Sequence, residues 1–134
     1  MQHDVGLILM RQLSSGLAVP TILFDAEGDL LFYNEPAASL LGQPFEDIGD
    51  LPLARSARIF ELRDEKRQPL AADQVPAAVA MRERRPVHRM VWLASFDGAD
   101  RLLEVTSFPL LGGGGHLIGA VAMFWERRNA VAQP

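Results

Sequence analysis

VHRMVWLASFDGADRLLEVTSFPLLGGGGHLIGAVAMFW, residues 87–125, holds three apolar runs separated by two turn signals. The runs at 87–96 and 101–108 meet at Asp97-Gly98, and a third, 116–125, follows the glycines Gly112 to Gly115. Asp-Gly between β-branched and aromatic segments is the strongest short-range hairpin signal, and a glycine loop lets the next segment turn back. The stretch therefore predicts a three-stranded antiparallel meander. Side chains alternate across a sheet, and a sheet that meets water usually has one polar face. Here neither parity is polar. One carries Val91, Leu93, Leu103, Val105, Ser107, Ile118, Ala120, Ala122 and Phe124. The other carries Met90, Trp92, Ala94, Phe96, Leu102, Thr106, Phe108, Val121, Met123 and Trp125, interrupted chiefly by Glu104.

Upstream of the meander the pattern changes. Asp4 to Ser15 reads as a helix with Gly16 as its stop. Val5, Ile8, Leu9 and Leu13 follow i, i+3, i+4 spacing while Leu7 and Met10 fall off that line, so the apolar surface is wider than one docking face needs. Such a helix packs on its own domain or meets a second subunit as well. Thr21-Ile22-Leu23-Phe24 and Leu30-Leu31-Phe32-Tyr33 flank an Asp- and Gly-containing turn, a second hairpin. Asn34 stands as a helix N-cap, with Pro36 in the first turn and Gly42 as the stop. Residues 43–56 are mixed, 58–62 predict a short strand, and a helix opens at Asp73 or Gln74 and ends near Arg85.

Composition narrows the functions. The chain has 134 residues, about half of them apolar, enough for one domain with a real core. It has no cysteine, which removes disulfides, thiolate nucleophiles and zinc-thiolate sites and suits a cytoplasmic location. No apolar run reaches a membrane span and no export signal opens the chain. A net charge of −4 with scattered arginines argues against nucleic-acid binding; Arg82, Arg84, Arg85 and Arg89 read as a solvated helix end. Catalysis lacks a constellation: Asp64-Glu65 and Glu46-Asp47 are neighbours that point apart, His3, His88 and His116 have no metal-ligand spacing, and no phosphate loop is present. The expected chain is not an enzyme.

The order of elements and the residues Asp25, Gly28, Asn34, Ala37-Ala38, Leu41-Gly42, Pro69-Leu70, Pro76, Pro86-Val87, Asp97-Gly98, Pro109-Leu110 and Gly119-Ala120-Val121 together resemble a PAS domain, the sensory module of histidine kinases, cyclases and transcription regulators. The resemblance implies an α+β fold: a five-stranded antiparallel sheet with short helices on one face and the N-terminal helix on the other. It divides the chain into an N-terminal dimerisation or capping helix at 1–17, a PAS domain at 18–126 and a tail or linker at 127–134. Two departures stand out. Glu126-Arg127-Arg128 replaces the Asp-Ile/Val-Thr signature that hands the last strand to an output helix, and Arg67 falls where relatives often carry a turn glycine, which predicts a different local turn.

The resemblance also makes the Val91 parity the inner face. A ligand cavity is then expected among Val79, Val91, Leu93, Leu103, Val105, Ser107, Ala120, Ala122 and Phe124, with Ser107 the clearest polar group; the alternative is a filled core. Haem is disfavoured because no histidine lies between Asp73 and Arg85, and flavin because a cysteine and an Asn/Gln pocket are lacking, so any cofactor is unknown. The other parity becomes an outer face too apolar to leave in water. Val5, Ile8, Leu9, Met10, Trp92, Met123 and Trp125 are therefore the expected homodimer interface. The expected function is a cytoplasmic sensory domain, dimeric, with a small apolar ligand and an output domain (kinase, cyclase or transcription regulator) in a longer chain. The runner-up is a ligand-free protein-interaction module.

Overall fold

A computed structural model describes residues 5–42, 51–52, 62–95 and 97–127. Helix α1 (Val5–Ser15) is followed by strands β1 (Thr21–Asp25) and β2 (Asp29–Tyr33), helix α2 (Glu35–Leu41), the two-residue strand β3 (Leu51–Pro52), helix α3 (Pro76–Glu83), and strands β4 (Val87–Ala94), β5 (Asp100–Leu111) and β6 (Leu117–Glu126). All pairings are antiparallel, in the spatial order β3-β2-β1-β6-β5-β4. The five long strands are those expected, and β3 adds a short edge beside β2. Residues 58–61 of the expected weak strand, Phe96, and the end of the tail lie outside the described residues.

The turns follow from local chemistry. Asn34 caps α2 by accepting a hydrogen bond from the Ala37 amide, and Gly42, at φ 87°, closes it in the left-handed conformation that glycine adopts at least cost. Helix α3 starts at Pro76, later than Asp73, because Ala72–Gln74 form a separate 3₁₀ turn in which the Gln74 side chain accepts from the Ala71 amide. The expected turn at Arg67 does not depart from the glycine form. Arg67 itself takes φ 65°, and its amide donates to the Asp64 carbonyl. The strain of a left-handed non-glycine residue is offset by its guanidinium, 3.8 Å from the Trp92 ring and paired with Asp100 at 2.6 Å.

Two apolar layers sit on the two sheet faces. On the inner face Ile22, Phe24, Leu30 and Tyr33 join Val91, Leu93, Leu103, Val105, Ala120, Ala122 and Phe124 beneath Ala37 and Leu41 of α2 and Ala77 of α3. On the outer face Leu7 and Met10 of α1 pack on Leu23, Leu31, Val121, Phe108 and Met123. Two register shifts feed that outer layer. Leu23 faces Phe32 and Phe24 faces Leu30, so Leu31 is the extra residue of one bulge; Leu110 faces Gly119 and Leu111 faces Leu117, so Ile118 is the extra residue of another. A bulge breaks alternation. Ile118, inward by strict parity, therefore packs with the outer cluster.

Gly119 sets how closely α1 can approach. A Cβ there would stand 2.1 Å from the Phe24 carbonyl oxygen and 3.1 Å from Leu7 Cδ2. Only a residue without a side chain lets β1 and Leu7 close over β6 at this point.

Candidate functional site

A cavity of about 70 Å³ lies between the inner face and the helices. Strand alternation brings Val91 and Leu93 from β4, Leu103, Val105 and Ser107 from β5, and Ala122 and Phe124 from β6 to its wall. Two of the expected lining residues stand elsewhere: Val79 is half-buried on α3, and Ala120 is in the inner core without lining the cavity. The remaining wall comes from Ile22 and Phe24 of β1, Leu41 of α2, Leu62, Val75, and Pro76 and Ala77 of α3. Ile22 and Phe24 share one parity of a five-residue strand, a signal available from sequence. Leu62 and Val75 sit in irregular segments, where no periodicity announces an orientation.

Among the described residues the wall is apolar apart from Ser107, which is 0% exposed and whose Oγ has no hydrogen-bond partner. Among the described residues no imidazole reaches the cavity: His88 and His116 are at the surface, and His88 Nδ1 is 2.8 Å from Thr106 Oγ1. Asp25, Glu27 and Asp29 bring carboxylate oxygens within 4.8 Å of one another. Their local geometry is that of a turn, since Asp25 Oδ1 accepts from the amides of Glu27 and Asp29.

On the outer face α1 docks through residues that lie off its regular stripe. Leu7, off the stripe, is 4% exposed and Met10 is half-buried against the sheet, whereas Val5, Ile8, Leu9 and Leu13 are 68%, 49%, 58% and 56% exposed. The other expected interface residues divide. Met123 packs in the layer under α1, Trp92 is half-buried beneath Arg67, and Trp125 is 43% exposed. Beyond the reach of α1, polar groups take over part of the face: Arg127 pairs with Glu104 at 2.8 Å.

The edge beside β4 is held by charge. The backbone of Arg63 exchanges two hydrogen bonds with Trp92, and the Arg63 guanidinium joins Arg67 on Asp100. Partial burial pushes the Asp100 carboxyl up, but hydrogen bonds and charge from the two guanidiniums outweigh it and hold the group below the usual carboxylate range.

Comparison with known proteins agrees with this architecture. The PAS-fold family matches residues 14–132. Among solved structures the chain is similar to the PAS domain of Bordetella pertussis BvgS (17% identity, TM-score 0.64, covering 94% of this chain and 89% of that one). It is also similar to the Rhodobacter sphaeroides LOV protein (15% identity, TM-score 0.73, 95% and 70%). A third likeness is the PAS domain of nitrogen regulation protein NR(II) from Vibrio parahaemolyticus (17% identity, TM-score 0.60, 89% and 98%). No curated protein sequence matches. No helix among the described residues is long and apolar enough to cross a membrane. With the family match, the antiparallel sheet and the enclosed inner face in agreement, the chain belongs to the PAS family, whose members are in general sensory and signalling modules.

Proposed function

We propose that this chain is a cytoplasmic sensory domain that holds a small apolar molecule in its inner cavity and pairs with a second copy through α1 and the outer sheet face, passing its signal to an output domain. The observation that carries the reading is that the cavity and α1 share the same strands. Ile22, Phe24, Ala122 and Phe124 line the cavity, while the intervening Leu23, Val121 and Met123 support α1. One strand thickness separates cue from helix, so a change in inner packing is felt on the outer side without any long relay. Ile8, Leu9 and Leu13 stand ready for a second copy, because a one-helix apolar stripe in water is stabilised by being covered. Neither haem nor flavin suits this wall: among the described residues it offers no histidine and a single polar side chain, and the chain has no cysteine.

Native mass spectrometry of freshly purified, never-unfolded protein tests both halves of the reading. A dimer carrying an added mass is the expected result. A bare dimer favours a ligand-free interaction module, a reading that the small volume of the cavity also supports. A monomer overturns the pairing.

A further inference from the structure

The inner face of the sheet ends in a polar network that ties helix α2 to the last residue of β6. Leu40 lies in the final turn of α2, where carbonyls lack a partner inside the helix, and the residue four positions on, Pro44, has no N–H to offer it. Its carbonyl is satisfied from across the chain: Ser95 Oγ donates to it at 2.6 Å. The same Oγ accepts from Arg101 Nε at 3.1 Å, and the other two nitrogens of that guanidinium reach Glu126 Oε1 and Asp97 Oδ2, each at 3.1 Å. Arg101 stands opposite Leu93 and Glu126 opposite Leu103, so both lie on the face that carries the cavity wall. Ser95, just past β4, is 6% exposed.

Resting on the reading of the cavity as a sensory site, we infer that Arg101 is the positioning residue of a second signal route, from the cavity through α2 and Ser95 to the end of β6 at Glu126. Leu41, the neighbour of Leu40, lines the cavity, so an occupant that moves the end of α2 moves the carbonyl to which Ser95 is bonded. A serine hydroxyl has one proton to give. Donating it to Leu40 leaves its lone pairs for Arg101, and a charged donor on those lone pairs strengthens the bond to the carbonyl. Hydroxyl and guanidinium therefore shift together. The guanidinium is planar, which fixes its three nitrogens relative to one another, so a rotation that follows Ser95 is felt at the Glu126 carboxylate. Asp97, itself held by the Ala99 amide at 3.0 Å, steadies the third nitrogen as the pivot. A lysine ammonium has no such fork. The route to α1 passes through undirected packing, whereas this one runs through directed bonds.

The test is amide and carboxyl NMR of the full chain under xenon, a probe that binds dry apolar cavities, run on wild type, Ser95→Ala and Arg101→Lys. The expected result is that xenon shifts the wall residues Val91 and Leu93 in all three proteins, and shifts the Glu126 carboxyl carbon and the Arg127 amide in wild type alone. The reverse experiment needs no probe. Glu126→Gln, which keeps the shape and removes the charge, is expected to shift the Leu41 and Gly42 amides when Ser95 is present and to leave them in place in Ser95→Ala. Wall shifts without any shift at Glu126 and Arg127 in wild type, or with shifts there that survive in either folded variant, overturn the route and leave the cavity standing. If xenon moves no wall residue, the sensory reading of the cavity falls instead, and the reverse experiment decides the bonded route by itself: a Gly42 amide unmoved by Glu126→Gln, or moved equally without the Ser95 hydroxyl, overturns it.

Discussion

Asn34 does four things with one side chain. Its Oδ1 accepts from the amides of Thr21 and Ala37 at 3.0 and 3.1 Å, and its Nδ2 donates to the carbonyls of Ser14 and Val19, both at 2.9 Å. Asparagine is the residue that offers an acceptor and two donors at this length; aspartate offers only acceptors when ionised. Asn34→Ala is expected to cost about 2–4 kcal/mol, the sum of a lost cap and newly orphaned buried groups, read from the shift in a urea denaturation midpoint. Asn34→Asp should be no better at neutral pH, since it sets a carboxylate against two carbonyl oxygens. A loss under about 1 kcal/mol for the alanine would show that water replaces these bonds. From sequence Asn34 was legible as a cap, because capping is local, but its bonds to Ser14 and Val19 join residues 20 and 15 positions away. Arg67 teaches the complementary lesson. Its departure from glycine predicts a changed turn, yet contacts with Trp92 and Asp100 hold the backbone where glycine would have been.

At the scale of elements, the strands were the most legible because period-two alternation and turn residues are written in neighbouring positions. Helix α1 was legible as a helix, with an apolar surface wider than one docking face, but not in which side meets the sheet. Its regular stripe of Val5, Ile8, Leu9 and Leu13 faces outward, and Leu7 with Met10 faces the sheet. Periodicity reports which side chains share a face. Which face docks is decided by the receiving surface, here the opening at Gly119 and the extra apolar residues supplied by the bulges at Leu31 and Ile118. Leu7→Ala is therefore expected to destabilise the fold by about 2–5 kcal/mol in urea denaturation, the range for opening a cavity in a packed layer. Leu9→Ala should leave the fold's own stability within about 0.5 kcal/mol and instead weaken self-association in sedimentation experiments. Equal losses of stability from the two substitutions would reverse the assignment of faces. Of the cavity wall, the residues of β4, β5 and β6 were legible apart from Ala120, Ile22 and Phe24 of β1 were missed although their alternation was there to read, and Leu62, Val75 and Pro76, brought in by irregular segments and a helix start, carried no such signal.

For the whole molecule, acid is the most direct probe of how the far edge is attached. Asp100, at the start of β5, gathers Arg63 and Arg67 from the segment that flanks β4. Its folded carboxyl titrates below the ordinary range, so the unfolded chain takes up the proton more readily. The stabilisation is complete above the unfolded value near pH 4 and drains away as pH falls through the lower folded one. Asp100→Asn is expected to flatten the acid limb of the stability profile, measured by thermal unfolding between about pH 2 and 5, and to lower stability at neutral pH only modestly because the pair is partly exposed. An unchanged acid limb would assign the acid response to other carboxylates. The molecule is thus fastened at one edge by charge and at the opposite end of the sheet by the amide of Asn34, and the second fastening has a mechanical sequel. Asn34 grips α1 at Ser14, its C-terminal end, while toward the other end Leu7 packs into the apolar layer on the outer face of the sheet. The helix is a lever of 11 residues, ~16 Å long, with its fulcrum at Asn34. A tilt of about 10° about the Asn34 end would swing the Val5 end by about 3 Å.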